Sequence, residues 1–305
     1  MCTAMTLQSQ AKELFFGRNM DFSHAIIPRL YIIPRSYLWY NNLNRQPLRD
    51  SYRFMGLGQE SDGIWGFFDG VNEKGFAAAA LYFSGYALPD TGSPHKAAHP
   101  IASTDFLHYI LGRCASVQEL PALLNGIRII GIPDPVTKTI APLHWIAADR
   151  SGACAVLEPA EQGLELLNNP IGVMANSPDF SWHMTNLRNY MGVSPFQTEE
   201  ACWDTIRLTP FGQAGGTIAL PGGFTSPERF VRTAYLKAHL PEPKDSKAAI
   251  AASFQIMGCV SIPKGAVITS RNTYDYTKYT ACINTSTCEY FYRTYDDIHI
   301  KTARL

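Results

Sequence analysis

Strand-like and helix-like patterns follow one another in blocks along this chain of 305 residues, and this order limits its possible folds. Alternating apolar residues, separated by turn residues such as Gly and Asn, predict strands through the first 85 residues. The predicted strands in this part are 3–7, 14–20, 30–33, 53–56, 64–68 and 76–83. A short turn joins the first two strands, so we expect them to pair as a hairpin.

Helical patterns then occur mostly in pairs, between further strands. Ser116 and Glu119 have the spacing of a capping box, and Ser226 begins a helix with Pro227 and Glu228 in its first turn. The predicted helices are 103–113, 116–124, 179–191, 226–236 and 246–257. The predicted later strands are 143–148, 153–158, 164–167, 172–175, 266–271, 279–284 and 289–295, and residues 192–223 are predicted to form a long loop.

This block order argues against the βαβ units of a Rossmann fold. Strands in blocks with helices in pairs favour an α+β protein, in which antiparallel sheets are covered by layers of helices. Since no linker-like stretch divides the chain, we expect residues 1–305 to form a single domain.

The charge balance argues against several kinds of partner. Lys and Arg together number 26, as do Asp and Glu, and no run of basic residues occurs, so neither nucleic acid nor a membrane surface is expected. The longest apolar stretch, 76–83, is far shorter than the roughly 20 residues of a membrane span. The first residues lack the pattern of a signal peptide. We therefore expect a cytoplasmic protein whose seven cysteines are free thiols.

Most motifs of catalytic or cofactor sites are absent from the sequence. It contains no GxSxG, HExxH, Walker A or GxGxxG segment. His95 and His99 are four residues apart, but they lie in a loop flanked by prolines, which does not favour a metal site. Neither a metal nor a nucleotide cofactor is expected.

Cys2 is the position that most strongly suggests chemistry. Removal of Met1 would leave a residue that carries a thiol and an α-amine together, and the amine can accept the thiol proton. The strand that follows the first turn can bring Arg18 and Asp21 beside Cys2, so that the arginine holds the thiolate and the carboxylate accepts a hydrogen bond from the amine. Alternatively, Cys2 is only a small residue that follows the initiator methionine, and Arg18 and Asp21 form an ordinary surface ion pair.

Several separated segments resemble the choloylglycine hydrolase family, which includes penicillin V acylases and conjugated bile salt hydrolases among the N-terminal-nucleophile hydrolases. The segments are MCT at the start, GRNMDFS from Gly17, VNEKGFAAAALYF from Val71, NNPIGVMANSPDFSWHMTNL from Asn168, SPERFVRTAYL from Ser226, and the tail with VSIPKGAV and YTKYTACINTSTCEYFYRTYDD. They occur in the family's order from residue 1 to about 300, and the set is specific although each segment alone is weak.

The resemblance implies a four-layer αββα sandwich of two antiparallel sheets and hydrolysis of linear amides without a cofactor. Within it, Cys2 matches the nucleophile, Arg18 the arginine beside it and Asp21 the acid that orients the α-amine. Asn176 matches the side chain of the oxyanion hole, and Arg229 matches the second arginine of the site. Read alone, Asn176 could cap the helix that follows and Arg229 could pair with a helix neighbour.

The resemblance also implies an acyl-amide substrate and a homotetramer. Tyr82 occupies a position where penicillin V acylases usually carry Tyr and bile salt hydrolases Asn, so penicillin V acylase is the expected activity. Bile salt hydrolysis is the main alternative, followed by N-acyl homoserine lactone hydrolysis and by a ligand-binding protein without activity. Tyr82, Met20, Phe22 and Trp65 are the candidate substrate-binding residues, and the loop 192–223 is a candidate assembly element.

Overall fold

The computed structural model describes residues 1–61, 63–89, 99–161 and 163–305. The strands are β1 (Cys2–Gln8), β2 (Leu14–Phe22), β3 (Arg29–Ile33), β4 (Leu38–Tyr40), β5 (Pro47–Arg49), β6 (Phe54–Ser61), β7 (Ile64–Phe67), β8 (Asp69–Asn72), β9 (Phe76–Tyr82), β10 (His99–Ala102), β11 (Ile127–Ile130), β12 (Leu143–Asp149), β13 (Cys154–Ala160), β14 (Gly163–Asn168), β15 (Val173–Met174), β16 (Ala201–Trp203), β17 (Ile206–Leu208), β18 (Tyr276–Asn284), β19 (Glu289–Thr294) and β20 (Lys301–Arg304). The helices are α1 (Phe106–Arg113), α2 (Leu120–Leu123), α3 (Phe180–Asn186), α4 (Ser226–His239) and α5 (Ser246–Cys259), with 3₁₀ turns at Val117–Glu119, Leu187–Tyr190 and Gly215–Thr217.

Two antiparallel sheets organise the molecule. The first sheet has the strand order β15-β1-β2-β18-β19-β20. The second has the order β14-β13-β12-β9-β8-β6-β3, with β7 also paired to β6. Since β1 and β2 are neighbours in the first sheet, the predicted N-terminal hairpin forms.

The sheets stack face to face because their strands alternate in side-chain direction. In β9, Ala77 and Ala79 point into the core between the two sheets, whereas Phe76 and Ala78 point to the opposite face, under α1. Helix α5 covers the outer face of the first sheet. The order is helix, sheet, sheet, helix, so the predicted α+β sandwich of four layers is confirmed. Each large apolar side chain buried in this way stabilises the fold by roughly 1.5–3 kcal/mol.

One glycine is required at the turn between β8 and β9. Gly75 has a φ of +79°, which L side chains rarely adopt, and its N–H donates to the carbonyl of Asn72. A Cβ at this position would lie 2.3 Å from the carbonyl oxygen of Thr285. The Asn-Glu-Lys-Gly turn therefore fixes the register that carries Tyr82 to the end of β9.

Two sequence predictions are wrong in type, and some strands are found where none was predicted. Residues 266–271 form no ladder, because a tight turn at Thr269 to Asn272 leaves only an isolated bridge between Ile268 and Tyr274. The loop predicted at 192–223 contains the hairpin of β16 and β17. The strand β20 was not predicted, since its sequence lacks an alternating apolar pattern.

Two predicted helix starts also differ. Ser116 makes no capping hydrogen bond, and the segment begins as a 3₁₀ turn before the short helix α2. Helix α4 is capped by Thr225 rather than Ser226, in a reciprocal capping box with Glu228. Among the described residues, none of the helices is both long and apolar enough to cross a membrane.

Candidate active site

The hairpin of β1 and β2 brings the sequence-predicted residues together. Cys2 pairs with Met20 across the hairpin, so the two side chains share the face that looks into the space between the sheets. Arg18 lies two residues from Met20 and therefore points to the same face, whereas Asn19 and Asp21 point away from it. The alternation in Arg-Asn-Met-Asp is thus the reason that Arg18 reaches the thiol.

Arg18 is in direct contact with the thiol of Cys2. Its Nη2 lies 3.1 Å from Sγ, and Sγ lies 3.6 Å from Sδ of Met20. Cys2 is 2% exposed and Arg18 is 1% exposed, so this contact is made away from bulk water. Burial acts to lower the pKa of Arg18, but Tyr279, Cys2 and Asp69 outweigh it and raise the pKa. The guanidinium is therefore a fixed positive charge beside the sulfur of Cys2.

The side chain of Asn176 accepts the backbone hydrogen bond of Cys2 that a neighbouring strand would otherwise accept. Strand β15 ends at Met174, and the Oδ1 atom of Asn176 accepts the backbone N–H of Cys2 at 2.7 Å. The same oxygen accepts Nη2 of Arg229 at 2.7 Å. These two donors orient the amide, and its Nδ2 donates to the carbonyl of Tyr82 at 2.7 Å. An amide nitrogen has two N–H groups, so a second donor remains for a ligand.

Arg229 holds the backbone of the nucleophile in place. It lies in the first turn of α4, which the capping box fixes, and it is fully buried. Its Nη1 donates to the carbonyl of Cys2 at 2.5 Å and to the hydroxyl of Thr3. Burial lowers the pKa of Arg229, partly opposed by Asp21, whose Oδ2 lies 3.8 Å away.

Asp21 lies at the end of β2, on the side of Arg229. Its Oδ1 accepts the hydroxyl of Thr277 at 2.5 Å, and its Oδ2 has no hydrogen-bond partner. Burial raises the pKa of this carboxyl, against the opposing charge of Arg229. With Met1 attached, the Cys2 N–H goes to Asn176, and the N-terminal ammonium contacts the carbonyl of Asp21 at 2.8 Å. The role predicted for Asp21 towards a free Cys2 amine stays a prediction.

The backbone of Tyr82 also faces the site. Phe83 donates its N–H to Pro142, on the side of β12, whereas Ala80 donates to Phe68 on the opposite side. Because directions alternate along an antiparallel strand, the N–H of Tyr82 points to the side of Ala80. Its carbonyl, on that same side, accepts Asn176. The N–H of Tyr82 therefore points to the side of β9 on which Asn176 lies.

An apolar cavity opens above the thiol. The empty space of this cavity, counted together with its open mouth, is about 760 Å³. Cys2, Met20, Phe22 and Tyr82 contribute to its lining, together with side chains from β7, β9 and the loop after Gly131. Asp134 brings the single carboxylate among the described lining residues, and it is bonded to the N–H groups of its own turn.

Trp65 does not line this cavity. Ile64, Gly66 and Phe67 of the same strand do, but the indole lies against the hydrophobic cluster under α1 instead. There Trp65 packs edge-on against Tyr31, with ring centroids 4.7 Å apart, and borders a separate groove beside Trp39. Its sequence position near the motifs does not place it near the thiol.

Sequence reasoning missed the groups that support the site. Asp69 accepts hydrogen bonds from Arg18, Tyr279 and Tyr290, but one Asp before a Gly carries no signal of this. Among the described residues, no group of three or more His, Cys, Asp or Glu side chains is arranged to hold a metal ion. His95 of the histidine pair lies outside the described residues.

Comparisons with known proteins agree with this geometry. The family model of linear amide C–N hydrolases, choloylglycine hydrolase family, matches residues 2–305. A conjugated bile acid hydrolase of Lactobacillus gasseri is 32% identical over 100% of this chain and 96% of its own. A crystal structure of a mutant conjugated bile acid hydrolase from Clostridium perfringens superposes with a TM-score of 0.91 at 32% identity, covering 100% of this chain and 92% of the other.

A penicillin V acylase of Pectobacterium atrosepticum is less similar. It is 25% identical, covering 91% of this chain and 73% of its own length. The preference for penicillin V acylase, which rested on Tyr82, is therefore not favoured over bile salt hydrolysis. The match of the family model to nearly the whole chain shows the class of reaction, which is amide hydrolysis with an N-terminal cysteine. The chain belongs to the choloylglycine hydrolase family of linear amide C–N hydrolases.

Proposed function

We propose that this enzyme hydrolyses the amide bond of conjugated bile acids, with Cys2 as the nucleophile after removal of Met1. The observation that carries the proposal is the thiol of Cys2, 3.1 Å from Arg18 Nη2, at the floor of an apolar cavity. Relatives with about a third identity over the full chain bear the name of conjugated bile acid hydrolases. A cavity with mostly apolar walls suits an uncharged, apolar acyl group.

The geometry supports a cofactor-free mechanism. The free α-amine of Cys2 takes the thiol proton, and the thiolate attacks the carbonyl carbon of the amide. The developing oxyanion accepts hydrogen bonds from Asn176 Nδ2 and the N–H of Tyr82. The amine then gives its proton to the leaving nitrogen, and water hydrolyses the thioester.

Penicillin V hydrolysis is the second candidate. The phenol ring of Tyr82 lies in the cavity wall, tilted against Phe22 with ring centroids 5.4 Å apart. Both rings belong to the wall of the cavity that Cys2 also lines. An aromatic wall suits the planar ring of a phenoxyacetyl group.

The test is hydrolysis of glycodeoxycholate and penicillin V side by side, measured as free amine released. We expect faster turnover of glycodeoxycholate, and no turnover of either by the Cys2→Ala variant. Preference for penicillin V would make the second candidate correct. Hydrolysis by Cys2→Ala, or of neither substrate by the wild type, would contradict both.

Two further properties are proposed with the function. All seven cysteines are free thiols, five of them buried, which supports a reducing compartment such as the cytoplasm. We also propose a homotetramer, supported by the apolar side chains that the hairpin of β16 and β17 exposes.

A further inference from the structure

A carboxylate from the second sheet is buried against the arginine of the first. Asp69 begins β8, is 0% exposed, and lies in the core between the two sheets. Its Oδ2 accepts Nη1 of Arg18 at 3.2 Å. Arg18, the residue that touches the thiol, is thus tied to a charged group that the sequence analysis did not single out.

Two tyrosines fix that carboxylate. Tyr279 of β18 donates its hydroxyl to Oδ2 of Asp69, and Tyr290 of β19 donates to Oδ1. Tyr279 is 1% exposed and Tyr290 is 0% exposed. Burial, together with the charge of Asp69, raises the pKa of both phenols, so both remain donors. Both oxygens of the carboxylate are therefore occupied, and its plane cannot turn freely.

The guanidinium is held in one orientation as a result. On one side, Nη1 donates to Asp69 and to the carbonyl of Phe68 at 2.5 Å. On the other side, Nη2 donates to Cys2 Sγ at 3.1 Å and to the carbonyl of Ala80 at 3.1 Å. A buried guanidinium without its carboxylate would be an uncompensated charge, and it would move towards water or other acceptors.

We propose that Asp69, Tyr279 and Tyr290 are positioning residues that hold Arg18 against the thiol of Cys2. Tyr290 acts through Asp69, since its hydroxyl is bonded to that carboxylate rather than to Arg18. The inference rests on the proposed role of Cys2 as nucleophile, but not on which amide is the substrate. A consequence is that Tyr290 on β19 controls the reactivity of Cys2 on β1, although two strands, β2 and β18, lie between them in the sheet.

The test compares Tyr290→Phe and Asp69→Asn with Tyr292→Phe. Tyr292 is a matched control two residues along the same strand, because its ring packs against Tyr290 but its hydroxyl makes no hydrogen bond to Asp69. Two quantities are measured in each variant: kcat and KM on the better substrate, and the rate at which iodoacetamide alkylates Cys2 at fixed pH. Peptide mass mapping assigns the label to Cys2, because Cys202 and Cys259 are exposed and also react.

We expect Tyr290→Phe and Asp69→Asn to lower kcat by about 10- to 100-fold. Losses of this size are typical when the hydrogen-bond partners of metal-binding side chains are removed, and these partners orient a reactive group in the same way. KM should change less than about twofold, since no side chain of the cavity wall is altered. Alkylation of Cys2 should slow at least about fivefold, and Tyr292→Phe should match the wild type.

The alkylation rate separates this inference from the proposed function. Slower alkylation in folded Tyr290→Phe supports it even when neither test amide is the substrate. Folded variants that keep kcat and alkylation within about twofold of the wild type would overturn it. If Asp69→Asn does not fold, the proposal is tested with Tyr279→Phe and Tyr290→Phe, using kcat and the alkylation rate of Cys2.

Discussion

At Asn176, one side chain joins the strand of the nucleophile to two other parts of the site. Its Oδ1 accepts both Cys2 N–H and Arg229, and its Nδ2 is aimed at the end of β9. We predict that Asn176→Ala lowers kcat by about 10²- to 10³-fold, the loss found when one oxyanion donor is removed. Steady-state kinetics on the better amide substrate check this, with the exposed Asn189→Ala as control.

The same change also removes Oδ1, the acceptor shared by two buried donors, Cys2 N–H and Arg229 Nη2. The unfolding free energy of Asn176→Ala must therefore be measured, and its activity compared at a temperature where it is folded. If folded Asn176→Ala keeps a kcat within tenfold of the wild type, Asn176 is not a donor of the oxyanion hole.

Tyr82 offers a prediction about specificity. We expect Tyr82→Asn to raise kcat/KM for glycodeoxycholate relative to penicillin V by about tenfold, because an aromatic ring is removed from the cavity wall. Tyr82→Phe is the matched control, since it keeps the ring and removes only the hydroxyl. Equal effects of the two variants would assign the selectivity to the hydroxyl, contrary to the prediction.

Sequence reasoning predicted that Cys2 and Arg18 meet, because strand alternation in a hairpin places both side chains on one face. Asn176 was indicated only by the family resemblance, and it follows the end of β15. Sequence reasoning did not place Trp65, because proximity in sequence to the motifs says nothing about which face a side chain occupies. The two tyrosines bonded to Asp69 come from strands more than 200 residues away, and one sequence alone cannot reveal such pairings.

Among the secondary-structure elements, β12, β13 and α3 are linked by one buried acid. Glu158 accepts the N–H of Phe180 at the start of α3, and its Oε1 lies 3.2 Å from Nδ1 of His144. Burial raises the pKa of Glu158 to about 7 and lowers that of His144 to about 3. His144 is therefore neutral near pH 7, while Glu158 is partly protonated.

This raised pKa gives a testable pH dependence. The folded state holds the proton of Glu158 more tightly than the unfolded state, so its stabilising contribution is full below about pH 4.5 and is lost as pH rises through about 7. Between pH 5 and pH 8 the loss amounts to roughly 2–3 kcal/mol. In Glu158→Gln this loss should disappear.

The measurement is the free energy of unfolding by urea at pH 5 and pH 8. Glu165→Gln is the control, because Glu165 is exposed on the paired strand β14. The prediction is wrong if wild type and Glu158→Gln show the same change between the two pH values.

The elements themselves were predictable where a strand is buried on one or both faces. β1, β2, β9 and β12 have alternating or continuous apolar residues because they lie at the centre of the sheets. The hairpin of β16 and β17 was not predicted. All six of its strand residues are exposed, so they do not need the alternation of apolar and polar residues that burial of one face requires. Its pairing depends on local turn geometry instead.

At the scale of the whole molecule, that exposed hairpin needs an explanation. Trp203 is 73% exposed, Ile206 is 63% exposed, and Phe211 beyond it is fully exposed. We predict that Trp203→Ser with Phe211→Ser yields smaller particles than the wild type, for which a tetramer is proposed, because the apolar contacts between copies are lost. Light scattering after gel filtration measures the mass, and Tyr40→Ser, an exposed aromatic residue elsewhere, is the control.

A wild type that is monomeric at micromolar concentration would contradict the proposed assembly. So would a double variant that keeps the mass of the wild type. Activity is expected to persist in smaller particles, since the described contacts of Cys2, Arg18 and Asn176 all lie within one chain.

The position of Cys2 has a practical consequence for anyone who handles this enzyme. The nucleophile begins a strand that is paired within the first sheet, whereas β20, near the other end of the sequence, forms an open edge of that sheet. An affinity tag or a tether to a solid support placed ahead of Cys2 would occupy the amine that the chemistry requires. Purification handles and immobilisation chemistry therefore belong after Leu305.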